Sequence, residues 1–325
     1  MKKLLVLIST VIFFAGCKKD NVDGYINDVP QAEKRICGTQ EVYERQLKED
    51  PSLELKMANF ERVVQYNQEH PNLGKLVNGK IVIPVVVNVI YNTTSQNISL
   101  SQIQSQIAVL NEDYNSLNAD TSKIPTLFKS VKGKVGISFV LDSVRRKSST
   151  KSSWSTNDYV KKTSQGGLDP LSPTTKLNLW VCNLSGGVLG YAQFPGGSST
   201  TDGVVIQYNA FGSKLKWSSG TYDATYNLGR TATHEVGHWL NLRHIWGDSN
   251  CGSDLVGDTP LHNTANYGCP SYPTRSTCSG TPVMMTMNYM DYTDDACMYM
   301  FSAGQATRIN ATFASGGPRN SFAQP

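Results

Sequence analysis

His234-Glu235-Val236-Gly237-His238-Trp239-Leu240-Asn241-Leu242-Arg243-His244 gathers three of the chain's five histidines into eleven residues. His234 and His238 are four positions apart, so on a helix both imidazoles project from one face and can hold one zinc ion. Glu235 sits one step round that helix, placed to reach a zinc-bound water. Catalytic zinc takes three protein ligands and keeps a fourth position open, and His244 supplies the third ligand. Continuing the helix would carry residue 244 onto a different face, so the chain has to turn sharply after His238. Such a turn usually takes a glycine at positive φ. Asn241 stands there instead, and asparagine is the non-glycine residue that best tolerates the left-handed conformation, at a cost of about 1 kcal/mol.

Upstream of this motif the chain alternates strand and helix signals. Residues 81–91 form a β-branched run suited to a strand buried on both faces. Residues 101–118 carry Ile103, Ile107, Leu110, Tyr114 and Leu117 at steps of four and three, an amphipathic helix with serine at its start. Residues 137–144, 177–182, 189–194 and 203–208 read as further strands, and a helix is expected from about residue 224 to 240. The Ser/Thr/Lys-rich stretch 145–167 reads as a solvated loop. Past His244 the chain is loop-rich as far as a last helix, where Ser302 and Gln305 can form a capping box. This order predicts an α/β fold: a sheet half joined to a loop-dominated half. His70 and His262 read as surface residues.

With 325 residues, 39 % hydrophobic and 17 % charged, the chain can form one large domain with a proper core. A net charge of +4 without long like-charge blocks gives no reason to expect a nucleic-acid partner, and the protein is read as a monomer. Met1-Lys2-Lys3 followed by an apolar stretch to Ala15 is the pattern of a secretory signal, too short to span a bilayer comfortably. Phe14-Ala15-Gly16-Cys17 resembles a bacterial lipoprotein cleavage box, which would make Cys17 the lipidated first residue and residues 1–16 the signal peptide. An ordinary signal peptide cut nearby is the other reading, and both export the protein, to the cell envelope or beyond it. Four of the seven cysteines (Cys251, Cys269, Cys278 and Cys297) cluster in one region, which in an oxidising compartment favours bridges. Their spacing allows three pairings.

The extended histidine motif, with Trp239 and Leu240 after His238, resembles the metzincin zinc proteases and within them the pappalysin family. The block Met287-Asn288-Tyr289-Met290-Asp291-Tyr292, with Asp294, Asp295, Cys297, Phe301 and Gln305 after it, is similar to the family's Met-turn region. Residues 189–195 and Asp258-Thr259-Pro260 match as well, so the likeness spans about residues 80–312. It implies a mixed, mostly parallel twisted sheet with helices above and a disulfide-bearing lower half ending in a helix. It also implies a zinc endopeptidase acting on polypeptides, with residues 76–325 as the catalytic domain. Glu235 would be general base and then acid. Tyr292 would hydrogen-bond the developing oxyanion, Met290 would floor the metal, and residues 189–194 would be the edge strand that pairs with substrate. Without the family, residues 284–300 are a methionine-rich core segment.

The same likeness suggests the bridges Cys251–Cys278 and Cys269–Cys297. It also suggests calcium at the oxygen-rich loop 251–259, with Asp254, Asp258 and Thr259 as candidate ligands; the residues alone fit a solvated turn equally. Arg35-Ile36-Cys37-Gly38 resembles a cysteine switch, in which the Cys37 thiolate fills the open zinc position until a propeptide of residues 17–75 is removed. A Cys37–Cys182 disulfide is the competing reading. Asp294 and Asp295 would favour Arg or Lys after the cleaved bond, as in some members of the family, and Arg62, Lys75 and Lys80 are candidate processing sites. Two other functions compete: an envelope-anchored, metal-containing binding or adhesion module without turnover, and a zinc hydrolase of non-peptide amides.

Overall fold

A computed structural model describes residues 33–70 and 81–323. Cys17, the signal sequence, Lys75 and Lys80 lie outside the described residues. Strands β1 (Ile81–Tyr91), β2 (Ile137–Ser148), β3 (Leu177–Cys182), β4 (Gly190–Ala192) and β5 (Val204–Gln207) form one sheet in the order β2-β1-β3-β5-β4. All pairings are parallel except that of β4, which lies antiparallel to β5 on the edge. The expected mixed, mostly parallel α/β architecture is therefore present.

The period of two in β1 decides which face packs where. Val85, Val87 and Val89 join Ile103, Ile107 and Leu110 of helix α3 (Leu100–Asp113) and Val236 and Trp239 of helix α5 (Arg230–Trp239) in the main core. Ile90 faces the other way, into a second cluster with Trp154, Val160, Trp180 and Tyr191. Helix α3 is capped at Ser99, whose hydroxyl accepts from Gln102 N. Its buried Gln102 and Gln106 side chains bond the backbone of the loop leading to α5. A short helix α4 (Thr126–Lys129) follows α3.

Two local expectations are corrected. Helix α5 begins at Arg230, because the Asp223 carboxylate accepts from Thr225 N and Tyr226 N in a side-chain turn and Gly229 sits at φ 84°. The stretch 145–167 is not a solvated loop throughout: β2 extends to Ser148, and Trp154, Val160 and Lys161 are buried. Lys161 is tolerated there because its ammonium meets Asp158 at 2.9 Å.

The lower half holds few regular elements and a cluster of Ile124, Phe128, Ile245, Trp246, Met285, Met287 and Met300. Bridges Cys251–Cys278 and Cys269–Cys297 close its loops, in the pairing that the family likeness suggests. Helix α6 (Ala303–Phe313) ends this half, with Ser302 and Gln305 forming the expected capping box. Before the sheet come helices α1 (Thr39–Glu49) and α2 (Ser52–Glu69), separated at Pro51. No helix among the described residues is long and apolar enough to cross a membrane.

Gly203 enters β5 at φ 132°, and a Cβ there would overlap the Asn178 carbonyl and lie 2.7 Å from Trp180 Cζ3. Gly203→Ala is expected to lower stability by about 2–3 kcal/mol, measured as a reduced urea midpoint with unchanged slope.

Candidate metal centre

Helix α5 carries His234, Glu235 and His238, and the chain then reverses at Asn241, whose φ is 71°. Leu242 N donates to Gly237 O, and Arg308 Nε donates to Asn241 O at 2.8 Å, fixing the reversal. His238 Nε2 thereby lies 3.1 Å from both His234 Nε2 and His244 Nε2. His234 Nδ1 donates to Tyr289 O at 2.7 Å and His238 Nδ1 to Leu242 O at 2.8 Å. A carbonyl can only accept, so Nδ1 carries the hydrogen and Nε2 turns a lone pair inward. His244 Nδ1 meets Asp248 Oδ1 at 2.5 Å, and Trp246 stacks on the His244 ring.

Converging lone pairs repel unless a cation lies between them. Zinc at about 2.0–2.1 Å from tetrahedral nitrogen ligands implies ligand separations of about 3.3 Å, close to what these imidazoles offer. Burial holds His234 and His238 well below the ordinary histidine range, in the neutral form a metal needs. The donor set fits. Cys37 Sγ joins it, all four ligand atoms lying within 4.8 Å of one another. Cys37 and Cys182 are both free thiols, so the alternative disulfide is not formed.

Glu235 is buried beside this set. Its Oε2 accepts from Thr39 Oγ1 at 2.8 Å and faces Cys37 Sγ at 3.3 Å, while burial pushes its carboxyl up to about 7. Gly190 of β4 makes the approach possible: a Cβ there would fall 2.8 Å from Glu235 Cγ. Residues 36–38 lie parallel to β4, with Gly38 N donating to Gly190 O and Leu189 N to Ile36 O. Thr39 Oγ1 also accepts from Ala192 N.

Met290 is fully buried beneath α5, and a Cβ on Gly237 would meet its sulfur at 2.6 Å. Asn288 Oδ1 accepts from Met290 N, and the Asn288 amide pairs with Gln305, so the α6 capping box also braces this turn. The Tyr292 ring stands edge-on to His244 with centroids 5.0 Å apart, and its hydroxyl faces the Cys37 main chain. The two acids after it diverge. Asp295 is buried and pairs with Arg35 at 2.7 Å; Asp294 is half-buried and its backbone N–H donates to Gly268 O.

Thr259 Oγ1 lies within 2.9 Å of both Asp254 carboxylate oxygens and of Val256 O. Asp258 does not belong with them. Its carboxylate accepts from Ser302 Oγ and Gly304 N, at the start of α6. His262 is not a surface residue but wholly buried: its Nε2 accepts from Met285 N, a long-range contact that isolated sequence context does not reveal. Thr39 and Asp248 are the neighbours of this centre that the sequence reading passed over, and Arg35 enters there only as the first residue of the cysteine tetrad. Thr39 directly follows that tetrad, and Asp248 stands four residues after His244, the only local signals they leave.

The fold and this centre define a metal-dependent peptidase of metzincin type. A family model described as peptidase M43, pregnancy-associated plasma protein-A, matches residues 170–314. An extracellular metalloprotease of Pyricularia oryzae is 33 % identical over 249 residues, covering 72 % of this chain and 75 % of its own. Extracellular metalloprotease 1 of Coccidioides posadasii is 34 % identical over 221 residues, covering 66 % and 69 %. Among solved structures, mature mirolysin of Tannerella forsythia in complex with a cleaved peptide superposes with a TM-score of 0.72 at 44 % identity, covering 76 % of this chain and 96 % of that one. A promirolysin mutant of the same organism gives 0.76 at 39 % identity, covering 89 % and 97 %. The chain belongs to the pappalysin family of zinc metalloendopeptidases.

Proposed function

We propose that this protein is an exported endopeptidase made as a latent precursor, with zinc held by His234, His238 and His244 and with Glu235 as its general base. The observation that carries the reading is the convergence of three inward lone pairs beside a buried carboxylate, directly under an edge strand. Bound zinc would polarise the scissile carbonyl and offset the charge that develops on its oxygen. The chain's own groups do the rest. Backbone N–H and C=O groups of β4 pair with an extended peptide. Glu235 takes a proton from the attacking water and returns it to the leaving amine. The Tyr292 hydroxyl, freed from the Cys37 main chain, donates to the oxygen that gains charge.

Latency is proposed through residues 17–75, with Cys37 in the fourth ligand position. Its support is the sulfur's place within the histidine set and the occupation of β4 by residues 36–38. Arg35 in the grip of buried Asp295 supports a preference for Arg or Lys after the cleaved bond. Arg62 is a poorer processing candidate, since it lies within α2 and that helix would have to open first. Export accords with the relatives' description as extracellular, and lipid anchoring through Cys17 remains part of the proposal.

Calcium is proposed at Asp254, Thr259 and Val256 O, without Asp258. A single hydroxyl hydrogen cannot serve three acceptor oxygens, and a hard cation satisfies them together. Burial raises the Asp254 carboxyl to about 6.

Three outcomes are expected. Processed protein incubated with casein yields fragments beginning with Arg or Lys; a zinc chelator abolishes the cleavage, and Glu235→Ala lowers kcat/KM by about 10²–10⁴-fold. Zinc bound in equimolar amount with no polypeptide cut would instead support the binding module. Cys37→Ala is expected to yield an unprocessed chain with measurable casein cleavage, and a silent unprocessed mutant removes the switch. Millimolar calcium is expected to raise the melting temperature of the wild type by several degrees and to leave Asp254→Asn unmoved; equal shifts in both sink the calcium site.

A further inference from the structure

The precursor segment is held at places far from its cysteine. Val42 of α1 is buried in the cluster of Trp154, Val160, Trp180 and Tyr191 on the back of the sheet. Arg45 donates to Asp158 at 2.5 Å, and Gln46 Nε2 donates to Gln193 Oε1 at 2.9 Å. Leu53 and Met57 of α2 bury against Phe194, and Phe60 covers Gly196, where φ is 100° and a Cβ would fall 2.7 Å from Phe60 Cε2.

The far end of α2 makes the most specific contact. Glu61 Oε1 accepts from Arg308 Nη2 at 2.5 Å and from Asn241 Nδ2 at 3.3 Å. Arg308 is almost wholly buried, and its ion-pair partner among the described residues is Glu61. The same guanidinium holds the Asn241 carbonyl through Nε. Asn241, the departure from the usual glycine, thus gives α2 a side-chain amide to grip at the turn that delivers His244. A glycine there offers no such group.

We infer that the surface formed by Asp158, residues 193–196, Asn241 and Arg308 is a receptor for the α1–α2 pair that works independently of Cys37. Its partner is the chain's own excised segment. A cut between residues 70 and 81 removes none of these contacts, so the segment stays on the enzyme after cleavage. With Cys37 in place the first cut alone therefore leaves the enzyme latent, and full activation requires loss of the helical pair as well. This inference rests on the latent-precursor reading and deepens it.

The test uses the full chain with Glu235→Gln, so that neither piece is digested, and with a site for an unrelated sequence-specific protease inserted between Asn72 and Asn78. After that cut, gel filtration under native conditions is expected to keep the helical fragment with the catalytic part. Adding Cys37→Ala is expected to change the retained fraction less than twofold. Arg45→Ala with Glu61→Ala is expected to reduce it at least tenfold. Release of the fragment with Cys37 intact overturns the proposal, and so does release by Cys37→Ala as complete as by the double variant. If near-ultraviolet circular dichroism shows the double variant misfolded before cutting, Glu61→Gln replaces it, with at least a threefold loss expected and unchanged retention counting against the clamp. Retention is read on a chain that cleaves nothing, so it succeeds or fails apart from the protease assay.

Discussion

Three imidazole lone pairs cannot share one small volume without a cation, and bringing the third among them demands a backbone reversal within six residues of His238. Asn241 supplies that reversal at φ 71°. The strain of a non-glycine residue in this region is about 1 kcal/mol, and it is over-determined by hydrogen bonds from both sides. Leu242 N is tied to Gly237 O, and the Asn241 carbonyl is held by Arg308. The reversal also delivers Leu242 O to His238 Nδ1, which sets the tautomer of a ligand on the preceding helix. Ligand geometry, ligand tautomer and the docking of α6 therefore share one turn.

Close approach is the second constraint. Glycine appears where the centre's layers meet: Gly190 lets β4 run against Glu235, and Gly237 lets Met290 lie under α5. Neither has a positive φ, so the requirement is steric, set by neighbours distant in the chain. Glu235 consequently sits between an edge strand and three histidines with almost no exposure. Such burial raises the carboxyl's proton affinity, the direction a group needs if it is to accept a proton and hand it on.

Much of this was legible in the sequence. A β-branched run located β1, alternation located β2, steps of four and three located α3, and the Ser302–Gln305 capping box located α6. The pairing of His234 with His238 was legible because helix geometry turns a spacing of four into a shared face. The disulfide pairing was not contained in the spacing and came from the family likeness alone. What stayed hidden depends on partners far away in the chain. Helix α5 starts six residues later than its pattern suggests, since the Asp223 side chain competes for the N–H groups of Thr225 and Tyr226. His262 and Asp258 resemble loop residues locally, yet one accepts from Met285 N and the other caps α6. The Arg35–Asp295 pair spans 260 residues, a separation no local pattern encodes.

The precursor segment and the cleft are complementary group by group. Glu235 Oε2 meets a hydroxyl and a thiol, Asp295 meets a guanidinium, and the free edge of β4 meets extended backbone. Buried carboxylates and unpaired edge amides are costly without partners, at about 1–3 kcal/mol for a neutral group and more for a charge. A cleft built to hold an extended peptide therefore attracts any segment that offers the same donors. Residues 35–39 offer them while running parallel to β4, and they place sulfur, not a peptide carbonyl, next to the histidines. In the proposed reading, inhibition and substrate binding thus draw on the same polar demands of the cleft. On that reading, inhibitor and substrate would differ in the atom presented to the metal, a thiolate in one and a peptide carbonyl in the other.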